Sequence, residues 1–409
     1  MDKPARSALK MAILAAVLVF NVLYYASRFP TMKNGIDFPE FYCAARMVLE
    51  GAGPHLYEIP AQQDFQGRYT GRIGVLFNHP PFETLFYVPV GWLNYRAAYV
   101  CWTMISTLLV AVSMLVINRE ARLLSDPGPL IMLSFIFAPL ALNLLQGQDA
   151  AILLLCYAIG YAKLRRNQAF TAGCVLALGL FKPHLVLPCF VVIFLVSKSW
   201  KFVGGFAAVA ALLFVISVAI SGWRALLAYP SFVVNLGRVQ LAGYHPNAMA
   251  NGRGLLSLLM RSSRLETAVL VVGSVLLLWL AIAAWRRSNS TAESTTAGDG
   301  ATTAFNLAFA NTTVATLLVS YHLSPHDLTI LLLPIALAVG ELRRRGLRKK
   351  PLDIVQAIIL LFLFFPPLYV ITLGLHSYAL MSIPMIIFFG CLLVLLQRAP
   401  QMPGLEAKV

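Results

Sequence analysis

Residues 95–122 read YRAAYVCWTMISTLLVAVSMLVINREAR, with no Asp, Glu, Lys or Arg between Arg96 and Arg119. A helix needs about 20 mainly apolar residues to cross the hydrocarbon core of a bilayer. This run has that length and ends on the basic pair Arg119 and Arg122, so it is expected to cross a membrane with that pair on the charged side. Working outward, further apolar runs lie near 10–27, 129–145, 149–164, 168–182, 184–197, 201–220, 266–286, 303–320, 327–342, 352–373 and 378–397. Together they predict an all-α, polytopic membrane protein of about twelve transmembrane helices. The segment 82–93 is apolar but short and holds Pro89 and Gly91, so it is expected to be re-entrant or to lie on the membrane surface.

Composition agrees. The 409 residues are 59% hydrophobic and 12% charged, where a soluble domain carries about 25% charged residues. No large soluble domain fits beside the spans. The net charge of +15 does not point to nucleic acid, because the Lys and Arg residues fall in short runs between apolar segments rather than on one face. Of the six cysteines, all but Cys43 sit inside apolar runs, where they read as small hydrophobes. Lys3, Arg6 and Lys10 precede the run from Met11 to Tyr25, and no small-residue cleavage site follows it. This segment is expected to stay as a first helix.

With the N-terminus inside, the short cytoplasmic connections hold Arg119 and Arg122, then Lys163, Arg165 and Arg166, then Lys198 and Lys201, then Arg286 and Arg287, then Arg343 to Lys350. The short connections on the other side contain Lys182 and no other basic residue, and that asymmetry sets orientation. The Ser-, Thr-, Ala- and Gly-rich stretch 288–303 reads as a flexible cytoplasmic linker. It divides an N-terminal membrane module, 1–287, from a C-terminal one, 304–409. The first module carries two long outer loops, 28–94 and 221–265.

The same topology sends the unusual polar groups to the outer face: Asp37 and Glu40, Asn78 through Glu83, Gln146-Gly147-Gln148-Asp149, Lys182-Pro183-His184, Tyr244 through Asn247, Asn251-Gly252-Arg253, and Tyr321-His322 through His326-Asp327. Ionisable groups at helix ends facing one compartment mark a functional site. Asp37, early in an outer loop far longer than a helix hairpin needs, has two readings: a general base for a hydroxyl nucleophile, or the N-cap of a surface-lying helix from Pro39 to Glu50. Tyr57, Phe65, Tyr69 and Phe77 suit an interfacial belt or sugar stacking. No His-Glu-x-x-His pattern occurs, so the histidines are read as hydrogen-bonding or phosphate-contacting groups and no metal is expected. Lys182 and Arg253, in Pro- or Gly-containing turns, are suited to a phosphate; Arg224 and Arg238 read as headgroup contacts.

In order along the chain, Asp37-Phe38 through Tyr42, His79-Pro80-Pro81-Phe82, Leu145-Gln146-Gly147-Gln148, Phe181-Lys182-Pro183, Arg253-Gly254-Leu255-Leu256 and Ser324-Pro325-His326 resemble the GT-C glycosyltransferases. Specifically, they resemble the bacterial glycosyltransferase family 87 of polyprenol-phosphate-mannose-dependent mannosyltransferases. The resemblance implies a GT-C-like fold in a bacterial inner membrane with its site on the extracytoplasmic side. It implies transfer of a hexosyl group, mannosyl in the family, from a polyprenyl-phosphate donor to a lipid or glycan hydroxyl, with inversion and without cofactor or metal. Asp37 would be the catalytic base, and Glu40, His79, Gln148, Lys182, His184, Arg253, His322 and His326 would bind donor phosphate or substrate. Where family members often carry a second histidine, this chain has Asp327. The alternative is a transporter or flippase of a lipid-linked sugar or another phosphate-containing substrate. That function needs polar or charged groups at mid-membrane; Asn143 and Asn306 are the strong candidates inside the spans, and neither is charged.

Overall fold

A computed structural model describes residues 37–236, 246–260, 263–290, 299–345 and 351–398, with a few isolated positions before residue 37. Most of the expected first helix at 10–27, Arg238, Tyr244, His245, residues 291–298 of the 288–303 linker and the end of the basic run 343–350 lie outside them. Every regular element among the described residues is helical. Six helices are long and apolar enough to cross a membrane: Tyr95–Ala121, Trp200–Asn235, Arg264–Arg287, Thr302–Val319, Pro325–Arg345 and Tyr378–Gln397. Two bent pairs, Gly128–Ser134 with Ala138–Gln146 and Pro351–Phe364 with Pro366–Gly374, raise the number to eight if each is one span. They bend by 67° and 58° where Pro139 and Pro366 open the second helix, since a proline ring clashes with the carbonyl four residues back.

Twelve full spans are therefore not found among the described residues. The runs between 149 and 197 form Ala150–Arg165, Ala169–Ala177 continued by the 3-10 turn Leu178–Phe181, and Pro183–Ser197. At 1.5 Å per residue the 15 residues of Pro183–Ser197 reach only about 22 Å, short of a ~30 Å hydrocarbon core. Thr84–Gly91, eight residues long, is shorter still.

The segment 37–94 is folded rather than draped. The expected helix is present as Phe38–Leu49, but nine of its twelve residues are buried, so it does not lie on a surface. It packs on Thr84–Gly91 and on the start of Tyr95–Ala121. Tyr87 stacks on Phe41, with ring centroids 4.6 Å apart, and lies 4.0 Å from Trp102; such pairs add about 0.5–1.5 kcal/mol each beyond burial. Tyr57, Phe65 and Phe77 are buried in this aromatic core, so they form no interfacial belt. The half-buried Tyr69 donates to Glu50 and receives Arg46 at 2.8 Å. The cap is fastened to the helix that breaks at Gly222: Tyr57 contacts Tyr229 and Phe232 at 5.0 and 5.4 Å. A second apolar core runs through the bundle from Phe82 to Leu396.

The bundle has two chemically distinct ends. At one end, Arg165 donates to the Glu120 carbonyl, Arg344 to that of Ala121 at 3.2 Å and Arg343 to that of Leu123 at 3.3 Å. There Arg286 also donates to the Leu195 carbonyl at 2.7 Å, closing Pro183–Ser197 against Arg264–Arg287. The opposite ends of these same helices carry the turn 146–149, Lys182, and the segment 320–327.

Candidate active site

The turn Gln146-Gly147-Gln148-Asp149 organises the polar end. Gly147 has φ +69°, the left-handed region that glycine enters without penalty. A Cβ there would sit 2.7 Å from Cβ of Phe38, so only glycine lets the turn close on the start of the cap helix. The close approach has a chemical result. The Asp37 amide donates to the Gln146 carbonyl at 3.1 Å, and Gln148 Nε2 donates to Asp37 Oδ2 at 2.7 Å. Asp37 occupies the N-cap position of Phe38–Leu49 but makes no side-chain capping bond. Of the two readings of Asp37, capping is the one its side chain does not realise.

Gln146 turns the other way and receives His326 Nδ1 at 2.8 Å, which fixes that ring as the Nδ1–H donor. Trp102 Nε1 donates to the Gln148 carbonyl at 3.3 Å, and Tyr99 donates to the carbonyls of Leu144 and Leu145. The turn is thus held by the span that begins at Tyr95.

Behind it lies a buried charge cluster. Lys182 Nζ stands 2.6 Å from both Asp149 Oδ1 and Asp327 Oδ1, with about 5% of its side chain exposed. The other oxygen of Asp327 accepts from the Ser324 amide at 2.9 Å, so one carboxylate both neutralises Lys182 and caps the turn Pro325–Leu331. On the cap side, His79 Nδ1 lies 2.8 Å from Glu83 Oε2, and both approach Asp149. The mouth is made by His184 and His322, ring centroids 6.2 Å apart, with His322 Nε2 at 3.0 Å from Ser324 Oγ. Arg253 lies over the Tyr321 ring at 4.1 Å and donates to the Tyr321 carbonyl at 3.2 Å, on the same rim and less buried than Lys182.

Burial pushes the Asp37 carboxyl up to about 6, against the Gln148 hydrogen bond and the charge of Lys182, which lower it. Burial, helped by the charge of Asp37, also holds Glu40 well above the usual carboxylate range. Burial likewise brings the His79 imidazole down to about 4, keeping it neutral. Asp149 feels the same burial, but Lys182 and His79 outweigh it and keep its carboxyl low. The site therefore offers an ionised, fixed Asp149 and, next to it, an Asp37 poised to take up a proton near neutrality.

Asp37, Glu40, His79, Gln148, Lys182, His184, His322 and His326, all expected from sequence, converge here, and Arg253 joins at the rim. Sequence reasoning placed Gln146, Asp149 and Glu83 among the outer-face polar groups but gave them no role in the site. A lysine at the end of an apolar run is the signal for Asp149 and Asp327, since a buried ammonium calls for buried carboxylates.

The model of glycosyltransferase family 87 matches residues 77–320. The matched region contains His79, the Gln146–Asp149 turn, Lys182 and Arg253, while Asp37, His322 and His326 fall outside it. Neither a curated protein nor a solved structure matches the chain.

Proposed function

The chain belongs to glycosyltransferase family 87, and from that premise we propose that it transfers a hexosyl group, mannosyl by family resemblance, from a polyprenyl-phosphate donor to a lipid or glycan hydroxyl at the extracytoplasmic face. The observation that carries the reading is Asp37: a carboxylate held by Gln148 rather than by its own helix, and raised toward neutrality. The acceptor oxygen attacks the anomeric carbon from the face opposite the phosphate, Asp37 takes the hydroxyl proton, and the carbon–oxygen bond to phosphate breaks with inversion. Polyprenyl phosphate leaves as the anion. Cations fixed where that charge grows stabilise the transition state. Arg253, at the rim with His322, carries that role more freely than Lys182, whose ammonium already faces two carboxylates.

The basic end of the bundle supports this sidedness, since under the positive-inside rule it would face the cytoplasm and the Asp37 end would face out. Against the transporter alternative, the buried asparagines within the spans are bonded inside the bundle, Asn311 Nδ2 donating to the Phe389 carbonyl at 3.1 Å. Asn143 Oδ1 accepts from the Ala150 amide at 2.9 Å, and Asn306 Oδ1 accepts from Tyr161 at 2.5 Å. The test is to supply purified protein in lipid nanodiscs with radiolabelled polyprenyl-phosphate mannose, polyprenyl-phosphate glucose or a nucleotide sugar, together with a membrane glycolipid extract. Transfer from a polyprenyl-phosphate sugar supports the reading. Transfer from the nucleotide sugar alone, or from none of the three, overturns it.

A further inference from the structure

We propose that His79, Glu83 and Asp149 form a binding site for a divalent transition-metal cation that ties the cap to the bundle beside Asp37. The inference stands apart from sugar transfer and departs from the sequence expectation of no metal, which rested on the lack of a His-Glu-x-x-His pattern. His79 precedes and Glu83 ends the turn Pro81–Glu83, and Asp149 opens the helix Ala150–Arg165. One donor atom from each lies within 4.8 Å of the other two. An ion about 2.0–2.2 Å from each donor sets donors roughly 3–4.4 Å apart, so binding needs His79 and Glu83 to open slightly from 2.8 Å and the widest separation to close by a few tenths of an ångström at most.

A second observation points to a ligand. Both carboxylate oxygens of Glu83 are buried with no well-aligned hydrogen bond, facing His79 and Asp149, and its side chain has no exposed surface. His79 Nδ1 stands 2.8 Å from Glu83 Oε2 without hydrogen-bond alignment, the relation that two ligands of one ion have. Oδ2 of Asp149 is also buried and unpartnered, its Oδ1 being the atom that faces Lys182. Buried polar atoms left in this state are costly.

The surrounding charge favours a cation. Asp37, Asp149 and Asp327 surround the one ammonium of Lys182, so an added cation meets net negative charge. One imidazole nitrogen and two carboxylate oxygens suit Mn²⁺, Fe²⁺ or Zn²⁺ better than Ca²⁺ or Mg²⁺, which prefer all-oxygen shells. An ion here fixes the 79–83 turn against the Gln148-Asp149 turn, and so fixes the side chain that holds Asp37.

The rival arrangement, a proton shared between Glu83 and Asp149, neutralises the pair without metal, and one experiment separates the two. Full-length protein stripped with EDTA is titrated with Mn²⁺, free ion is read by electron paramagnetic resonance, and nitrogen coupling to the bound ion by spin-echo modulation. The expected result is one saturable Mn²⁺ per chain with a nitrogen ligand. Affinity should fall at least about tenfold in Glu83→Gln and in His79→Gln, the latter also losing the nitrogen coupling, and stay unchanged in the exposed control Asp64→Asn. No saturable binding by the unsubstituted protein overturns the proposal, and so does binding that Glu83→Gln and His79→Gln leave intact.

Discussion

Replacing Lys182 by methionine should cost the protein much of its stability, whatever it does to donor binding. The ammonium lies 2.6 Å from two carboxylates whose side chains are at most 2% exposed. Methionine keeps the stem and removes the charge, leaving Asp149 and Asp327 facing each other with no counter-ion between them. Breaking a buried pair from one side costs about 3–5 kcal/mol, because the remaining charge stays desolvated. A native stability of ~5–15 kcal/mol would lose a large fraction. Equilibrium unfolding of the detergent-solubilised protein reads the loss, and the triple variant Lys182→Met/Asp149→Asn/Asp327→Asn should regain part of it, since no uncompensated charge then remains. A lysine acting only on donor phosphate predicts otherwise. If Lys182→Met lost less than about 1 kcal/mol, the size of a solvated surface pair, the buried triad would not be the keystone described here.

Three further outcomes follow from the same geometry. Because Asp37 must be ionised to accept a proton and sits near 6, kcat/KM should climb with pH and level off above that value; Gln148→Leu, which removes the hydrogen bond that lowers the Asp37 carboxyl, should move the midpoint to higher pH, and a flat profile from pH 5 to 8 would contradict the assignment. Gly147→Ala, at φ +69° and 2.7 Å from Phe38, should cost about 2–5 kcal/mol from left-handed strain and overpacking, measured as a lowered unfolding midpoint; a wild-type midpoint would mean the turn is looser than its contacts. In a background without native cysteines, Arg345→Cys should resist an impermeant thiol reagent in intact spheroplasts while Ser324→Cys reacts, and the reverse labelling would invert the orientation.

The long spans were legible because length and charge act together: Tyr95–Ala121 is bounded by Arg96 and Arg119, and a bilayer admits few other readings of such a run. The shorter helices from Ala150 to Ser197 were not, since hydropathy cannot tell a full span from a helix ending part-way through the membrane at Lys182-Pro183. The cap misled for a related reason. Tyr57, Phe65 and Phe77 have the composition of an interfacial belt, and only the pairing of Phe38–Leu49 with Thr84–Gly91 puts them inside. At the site, the residue types were readable but their partners were not. Asp37 and Gln148 are 111 positions apart, His326 and Gln146 180 apart, and no local pattern announces either bond. His79 and Glu83 stood together in the run 78–83, but Asp149, which approaches both, comes from another element altogether.

The central claim is that Asp37 accepts the acceptor's proton, and Asp37→Asn isolates it. Asparagine caps a helix as well as aspartate does and can still hydrogen-bond to Gln148, yet it cannot take a proton at neutral pH. The decisive measurement is the single-turnover rate of sugar transfer by Asp37→Asn protein already saturated with polyprenyl-phosphate sugar, beside its unfolding midpoint and donor affinity. The account predicts unchanged folding, retained donor binding and transfer slowed at least about a hundredfold; a folded Asp37→Asn protein that turns over at the normal rate would contradict it.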